Sequence, residues 1–459
     1  MRFLSRLRQP PADETPLFDG AALKRLILPL ILEQTLAITV GMADTVMVSS
    51  LGDAVMSGVS LIDNINTLII NIFAAFATGG AVVAAQFLGA RREKSARETA
   101  GQVIVSTLLI SLAVMGVCLA LREPIIRLLF GEIEPEVMAS ASVYFRISAF
   151  SYPVIGVYSC CAALFRTMGN SKVSMYSGLL ANVVNIGANA LLIYGMDMGA
   201  AGAALGSLLS RLASMALLLV LLTDRKNVIY ISFREKFVFN GQVLRKIFRI
   251  GLPNSLENGV FQLGRIMVLR IITLFGVVQI AANGVANSLS ALGCIPGQAM
   301  NLAMITVVGR CVGAGSRAQA RWYTRRLMGI TYLFTIGVNA LILLSLPLTL
   351  RLYSLSPESI ALARVLTSIH NGCAMLLWPA AFTLPNALRA ACDARFTMVI
   401  SVASMLTFRI GLSLVLALRL NYGAVGVFAA MVVDWLFRAV VFFFRYRSGR
   451  WWPSRALTE

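Results

Sequence analysis

Long apolar runs recur along the whole chain, and they constrain its fold more than any other feature. A run of about 20 apolar residues is the length of a helix that crosses a bilayer, and a helix satisfies its own backbone hydrogen bonds in lipid. Only 13% of the residues are charged and 58% are hydrophobic, whereas soluble domains carry about 25% charged residues. The sequence therefore predicts an all-α integral membrane protein with twelve transmembrane helices. We place them at 24–48, 58–88, 102–121, 138–164, 173–194, 199–223, 248–273, 282–309, 326–347, 360–387, 396–418 and 423–444.

One stretch is too long for a single span. Residues 271–309 carry no charge at all, so a turn has to lie within them. Gly276 and the Asn283-Gly284 pair are the expected breakers, because glycine and Asn-Gly favour turns.

The basic residues predict the topology. Most of the 40 Lys and Arg residues fall in one set of alternate loops, and the other set holds only Arg122, Arg127, Arg351 and Arg419. Basic loops stay on the cytoplasmic side, which predicts a multi-pass protein of the bacterial plasma (inner) membrane with both termini cytoplasmic. The net charge of +19 follows from these loops, so we expect membrane lipid, and no nucleic acid, as a partner.

The two halves of the chain repeat each other. Several residues recur at a constant offset of 224, namely Arg25, Leu28, Pro29, Leu32 and Glu33 as Arg249, Leu252, Pro253, Leu256 and Glu257. The spans thus divide into two pseudo-symmetric six-helix lobes in the same orientation. We expect a cytoplasmic N-terminal segment (1–23), an N-lobe (24–223), a cytoplasmic linker (224–247), a C-lobe (248–444) and a cytoplasmic tail (445–459).

The first span carries two acidic residues, Glu33 and Asp44. A charge at the centre of a membrane helix costs about 2.5–3.5 kcal/mol, so such residues indicate function. Their separation of eleven residues places both on one helix face, about 16 Å apart. Pro29, one turn before Glu33, is predicted to bend the helix.

Polar residues of the fifth span share a face as well. Asn182, Asn185 and Asn189 follow each other at spacings of three and four, which puts them on one side of a helix. They either bridge helices as packing hydrogen bonds or line a polar cavity with Asp44. In the sixth span, Gly202 and Gly206 form a small-xxx-small pattern that predicts a close helix contact.

The second half offers fewer candidates. His370, the only histidine, is either a hydrogen-bonded interior residue or a proton site. Asp434 and Arg438 form an i,i+4 pair, for which we expect charge pairing inside the bundle. No metal site is predicted, because no ligand spacing appears. Without a nucleophile elbow or P-loop, an enzyme is not expected, and uphill transport would depend on an ion gradient.

Four segments then resemble the multidrug and toxic compound extrusion (MATE) family, and the resemblance covers nearly the whole chain. They are VGMADTVMVSSLGDAVMSGVSLID, GGAVVAAQFLGAR, GLPNSLENGVFQLGR and FTLPNALRAACDAR. The resemblance implies a monomeric secondary active exporter of small cationic or amphipathic compounds. It implies antiport against H⁺ or Na⁺ by alternating access, with no cofactor.

The resemblance also implies a cation site in the N-lobe. The family's first-helix Asp corresponds to Asp44 and its bending proline to Pro29, and the fifth-helix Asn is Asn185. At the family's second Asp stands Asn189, and at its Thr stands Ser207.

Because one carboxylate is missing, a hard cation such as Na⁺ finds fewer charged oxygens, and we expect H⁺ as the coupling ion. Glu33 is a further coupling candidate, and Glu257 and His370 are candidates for substrate or coupling in the second lobe.

Two other functions fit less well. A lipid-linked oligosaccharide or other amphiphile flippase would favour fourteen spans rather than twelve. A membrane enzyme of lipid metabolism would need clustered His, Asp or Cys at one membrane face, and the chain has a single histidine.

Overall fold

The computed structural model describes residues 15–131, 133–232, 238–353 and 355–453. The outer parts of the predicted N-terminal segment and tail, and part of the predicted linker, lie outside these ranges. The chain divides into two compact units. We call Gly20–Gly259 the N-terminal unit, and Val260–Glu459 together with Met1–Asp19 the C-terminal unit. The lobe boundaries given above stay predictions.

The N-terminal unit consists of helices. They are α1 (Gly20–Ser49), α2 (Asp53–Gly89), α3 (Glu93–Ala120), α4 (Arg122–Phe130), α5 (Pro135–Phe150), α6 (Tyr152–Thr167), α7 (Ser171–Asn189) and α8 (Gly199–Leu222). A π-helical turn, Ala190–Gly195, continues α7. Helix α9 (Gly241–Thr273) begins in this unit and ends in the other.

The C-terminal unit is helical too. It continues with α10 (Val277–Gly313), α11 (Arg317–Thr349), α12 (Pro357–Trp378), α13 (Leu384–Ala390), α14 (Ala394–Ser404) and α15 (Gly423–Ser448). A 3₁₀ turn, Leu350–Leu352, follows α11, and π-helical turns occupy Pro379–Thr383, Met405–Leu412 and Val415–Arg419.

The predicted all-α membrane fold is confirmed. In the described ranges, ten helices are long and apolar enough to cross a membrane, and a bent pair makes eleven. The remaining predicted span, 248–273, lies on α9, where Glu257, Arg265 and Arg270 interrupt the apolar sequence. Most helices extend beyond the predicted spans, because hydropathy marks only the part that lipid covers.

The span predicted at 138–164 is bent rather than straight. It comprises α5 and α6, which meet at Ser151 with an angle of 46°. Pro153 stands in the first turn of α6, and its ring has no N–H to donate and clashes with the carbonyl four residues earlier.

Of the two breakers predicted within 271–309, only one ends a helix. Gly276 precedes α10 with φ of 87°, a left-handed conformation that glycine adopts without strain. Asn283 and Gly284 lie inside α10, so the prediction of a turn there was wrong. An Asn-Gly pair in an apolar run does not outweigh the hydrogen bonds that lipid forces on the backbone.

Small residues allow close packing in the N-terminal unit. The Cα of Gly79 on α2 lies against the backbone of Gly251 on α9, and a Cβ at Gly58 would lie 2.9 Å from the backbone of Ala141 on α5. Helices in lipid associate through such close contacts, because lipid tails are as apolar as the side chains. Large side chains such as Phe73 and Phe145 fill the remaining interior.

In the C-terminal unit, helix α11 exposes large apolar residues on one face. On α11, Leu333, Leu341, Leu344 and Leu348 are 67–81% exposed, whereas polar Thr331, Thr335 and Asn339 of the same helix are buried. This distribution is typical of a helix whose outer face meets lipid. The segment before α1 packs on the same helix, where the backbone N–H of Phe18 donates to the Tyr323 hydroxyl at 2.9 Å.

Candidate functional site

A seam of polar contacts joins α1 to α7. The Ser171 hydroxyl donates to the carbonyl of Leu26 at 2.6 Å, and the Asn182 amide donates to the carbonyl of Leu36 at 3.1 Å. The seam buries the predicted asparagine face of α7 and fixes how the two helices lie against each other. Asn182 therefore makes the packing hydrogen bond that one of the two interpretations expects.

The far end of the seam holds Asp44. Asn189 Nδ2 donates to Asp44 Oδ1 at 2.6 Å, and the Asn185 side chain interacts with the same carboxylate. Both asparagines are buried, with exposed fractions of 0% and 2%. Asn185 and Asn189 thus form a polar site around Asp44.

The position of Asn189 depends on the glycines of α8. A Cβ at Gly206 would collide with the Asn189 side chain, and a Cβ at Gly202 would lie 3.0 Å from the Leu192 carbonyl oxygen. The close helix contact predicted from this glycine pair is therefore confirmed. The chain turns π-helical directly after Asn189, a distortion that recurs at functional sites.

A narrow cleft with a cavity volume of about 20 Å³ opens beside Asp44. Its walls include Asp44 from α1, Asp63 from α2, Tyr144 from α5 and Ser207 from α8. Four of the predicted site residues are thus brought close together, namely Asp44, Asn185, Asn189 and Ser207. A cavity of this size holds about one water molecule or a small ion, which is far less than a drug-sized ligand needs.

The second carboxylate of the cleft, Asp63, was missed by the sequence analysis. The Tyr144 hydroxyl donates to Asp63 Oδ1 at 3.0 Å, and Asn66 Nδ2 contacts the same oxygen at 3.4 Å. The signal was available, since Asp63 is an acidic residue within a predicted span, like Asp44.

A positive charge accompanies the two carboxylates. Arg211 on α8 lies within electrostatic range of both Asp44 and Asp63, and its Nη1 donates to the Ser151 hydroxyl at 2.6 Å. Ser151 marks the bend between α5 and α6, so the bend and the cleft are connected through one side chain. Among the described residues, no three His, Cys, Asp or Glu side chains come together as metal ligands would.

Glu33 lies elsewhere on α1 and does not line the cleft. Arg166 Nη1 donates to Glu33 Oε1 and Ser174 Oγ donates to Oε2, each at 2.8 Å. This buried ion pair holds α1 to α6 and α7. Pro29, also buried, lies inside a helix that continues unbroken to Ser49.

Neither of the two candidates of the second lobe lines the cleft. Glu257 is buried on α9 within the N-terminal unit. His370 is buried on α12 of the C-terminal unit, where Nδ1 lies 3.0 Å from Asn371 Oδ1 and the ring packs edge-on against Trp435. Its surroundings are those of a hydrogen-bonded interior residue.

Charge pairing inside the bundle is confirmed for Asp434. Arg438 Nε donates to Asp434 Oδ1 at 2.9 Å, and the two side chains are 3% and 0% exposed. The Ser404 hydroxyl donates to the same carboxylate oxygen.

The family model MatE matches the chain twice, at residues 29–191 and 251–415. The chain belongs to the MATE family of multidrug efflux transporters. The two matched segments begin 222 residues apart and end 224 residues apart, which confirms the internal repeat. The MATE match includes Asp44, Asp63 and the whole of α7.

Bacterial proteins are similar over nearly the full length of this MATE chain. The uncharacterized transporter YisQ of Bacillus subtilis is 26% identical over 98% of both chains. The probable multidrug resistance protein NorM of Thermotoga maritima is 26% identical, over 98% of this chain and 96% of its own.

A solved MATE structure has the same fold. An outward-facing multidrug resistance transporter of the MATE family superposes with a TM-score of 0.86 and 21% identity, covering 98% of this chain and 99% of its own. The likeness extends over both halves of the chain.

Proposed function

We propose that this MATE transporter exports amphipathic organic compounds by antiport against protons, and that Asp44 and Asp63 accept the coupling proton together. The observation that carries the proposal is the shared cleft. The carboxylates of Asp44 and Asp63, from two different helices, interact electrostatically there with each other and with Arg211. The multidrug name of the Thermotoga relative supports organic compounds as cargo.

The cleft can couple the uptake and release of a proton to the packing of the helices. Two ionised carboxylates in one small cleft repel each other, and a neighbouring hydrophobic wall disfavours their charges. Uptake of a proton relieves the repulsion, and its release restores the attraction to Arg211. The two protonation states thus stabilise different helix arrangements, which is the condition for an ion to shift a conformational balance.

The asparagines support H⁺ over Na⁺. Asn189 presents its N–H₂ group, a donor, to Asp44, and a donor hydrogen bond stabilises a carboxylate without any metal. A sodium ion at the same place would need oxygen ligands instead. We therefore assign Asn185, Asn189 and Ser207 to the support of Asp44 rather than to ligation of Na⁺.

Movement between the two sides of the membrane completes the proposal. A solved relative is described as outward-facing, which supports alternating access in this fold. A bacterial inner membrane, cytoplasmic termini and a monomer remain predictions, as do roles for Glu257 and His370.

The test uses purified protein in liposomes, with dye transport driven either by a pH gradient or by a Na⁺ gradient while valinomycin and K⁺ clamp the membrane potential. We expect transport with the pH gradient alone, and none with the Na⁺ gradient alone. Asp44→Asn should abolish the pH-driven transport. Asp53→Asn is the matched control, because Asp53 is exposed in the first turn of α2.

Robust transport by the Na⁺ gradient alone would overturn the choice of ion. Unchanged pH-driven transport by Asp44→Asn would remove Asp44 from the mechanism.

A further inference from the structure

Acidic residues are scarce in the C-terminal unit. Between 260 and 453 the sequence holds only Glu358, Asp393 and Asp434. Glu358 is exposed in the first turn of α12. Asp393 precedes α14 and accepts two hydrogen bonds from Arg445, at 2.8 and 3.2 Å. Asp434 is therefore the one acidic residue of this stretch that lies inside a predicted span.

Asp434 already forms an ion pair with Arg438. Its Nε donates to the carboxylate and its Nη2 donates to the carbonyl of Ser401 at 3.0 Å. The guanidinium also lies over the rings of Phe261 and Phe382, at 5.5 and 5.6 Å from their centroids. This pair is neutral as a whole, and the second carboxylate oxygen, Asp434 Oδ2, is buried and accepts no hydrogen bond within the described residues.

Two further guanidinium groups lie near this pair. Arg409, on the π-helical turn Met405–Leu412, lies within electrostatic range of Asp434, Arg265 and Arg438. Its Nε is buried and donates no hydrogen bond within the described residues. Arg265 on α9 is exposed, and its side chain donates one hydrogen bond within the described residues, to Gln262 at 3.4 Å.

The cluster thus carries three arginines and one aspartate. His370 lies within range of Arg409 and Arg265 and supplies no negative charge. An arginine inside a membrane span is costly unless a partner compensates it, and the single carboxylate of Asp434 does not balance three guanidinium groups. A ligand with a negative group would provide the compensation, since guanidinium matches carboxylate and phosphate geometry.

We propose that Arg265 and Arg409 bind the anionic group of an amphipathic substrate. Phe261 and Phe382, both partly exposed and 6.0 Å apart between ring centroids, offer an apolar surface next to the charged group. The substrate class is therefore an organic anion with an aromatic or aliphatic body. This inference rests on the proposed function, because it takes the chain to be an exporter of amphipathic compounds.

Two dansyl probes of equal length test the charge preference. Dansylcadaverine ends in an amine and dansyl-6-aminohexanoate ends in a carboxylate, so they differ in charge and little else. Binding to the purified protein in neutral detergent is followed by energy transfer from tryptophan, of which Trp378 and Trp435 lie beside Phe382. We expect the carboxylate probe to bind at least about tenfold more tightly.

Substitutions locate the site. Arg265→Gln and Arg409→Gln should each weaken binding of the carboxylate probe roughly tenfold, and Arg409→Lys should retain most of the affinity. Arg270→Gln is the matched control, because Arg270 is exposed on the same helix five residues further along. If Arg409→Gln does not fold, Arg265→Gln and Arg409→Lys decide the outcome.

Equal or tighter binding of the amine probe would overturn the inference, and so would full carboxylate affinity in the Arg265→Gln variant. Asp44→Asn separates this result from the proposed function. It should bind the carboxylate probe normally and fail only in uphill transport. Loss of the charge preference with intact proton coupling would refute the substrate class alone.

Discussion

The Glu33–Arg166 ion pair predicts that Glu33 holds helices together rather than coupling transport. Glu33→Gln keeps the shape of the side chain and an oxygen that accepts from Ser174, but it leaves Arg166 without its carboxylate. The side chains of Arg166 and Glu33 are 15% and 10% exposed, so water compensates little of the lost charge.

The expected magnitude follows from this burial. Removal of one partner of a buried ion pair costs about 3–5 kcal/mol. Because the Ser174 hydrogen bond is retained, we expect Glu33→Gln to lower the free energy of unfolding by about 3 kcal/mol, the lower end of that range. Glu33→Gln/Arg166→Gln removes both charges and should recover part of this loss, because no unpaired charge then remains buried.

The assay is reversible unfolding in mixed micelles of dodecyl maltoside and SDS, followed by circular dichroism. On heating, maleimide labelling of the buried Cys160 and Cys161 gives a second measure of unfolding, because these thiols react only once the helices separate. Glu123→Gln serves as the control, since its pair with Arg122 spans 3.9 Å and is 38% and 55% exposed. Such a surface pair contributes about 0–1 kcal/mol.

Transport by the same variants completes the comparison. Folded Glu33→Gln should keep its pH-driven transport in liposomes. An unchanged free energy of unfolding, together with loss of proton coupling, would refute the anchoring role and make Glu33 a coupling carboxylate.

Three further predictions concern the cleft and the end of α15. Gly206→Ala should displace Asn189 and lower pH-driven transport at least about tenfold, whereas Gly187→Ala, with open space around its Cβ, should not; equal transport by both would contradict the close contact. Asp63→Asn should reduce pH-driven transport and leave binding of the dansyl carboxylate unchanged, and wild-type transport would exclude Asp63 from proton uptake. Asp393→Asn should lower the free energy of unfolding by about 1.5–3 kcal/mol in the SDS titration, because it weakens charged hydrogen bonds; no change would show that the pair is not stabilising.

The sequence was sufficient for the architecture because lipid imposes it. Span lengths and the repeat follow from the bilayer thickness and from residue identity, and both are visible in one chain. Asp44 was found by the same logic, since an acidic residue in an apolar run stands out.

Partners across helices were not predictable in this way. Glu33 and Asp44 share one helix, and periodicity alone suggested that they act together. Arg166 binds Glu33 from 133 residues away, and only the relative register of α1 and α6 reveals it. The bend at Ser151 and the π-helical turns likewise depend on packing that hydropathy does not encode.

The seam between α1 and α7 has a consequence for how such a protein tolerates change. Its donors are side chains of α7, but two of its acceptors are main-chain carbonyls, those of Leu26 and Leu36. Every amino acid supplies the same main-chain carbonyl. Substitutions at these two positions of α1 therefore keep the hydrogen bond. A comparison of related sequences would then find constraint on Ser171 and Asn182 and no matching covariation on α1, although the helices touch there.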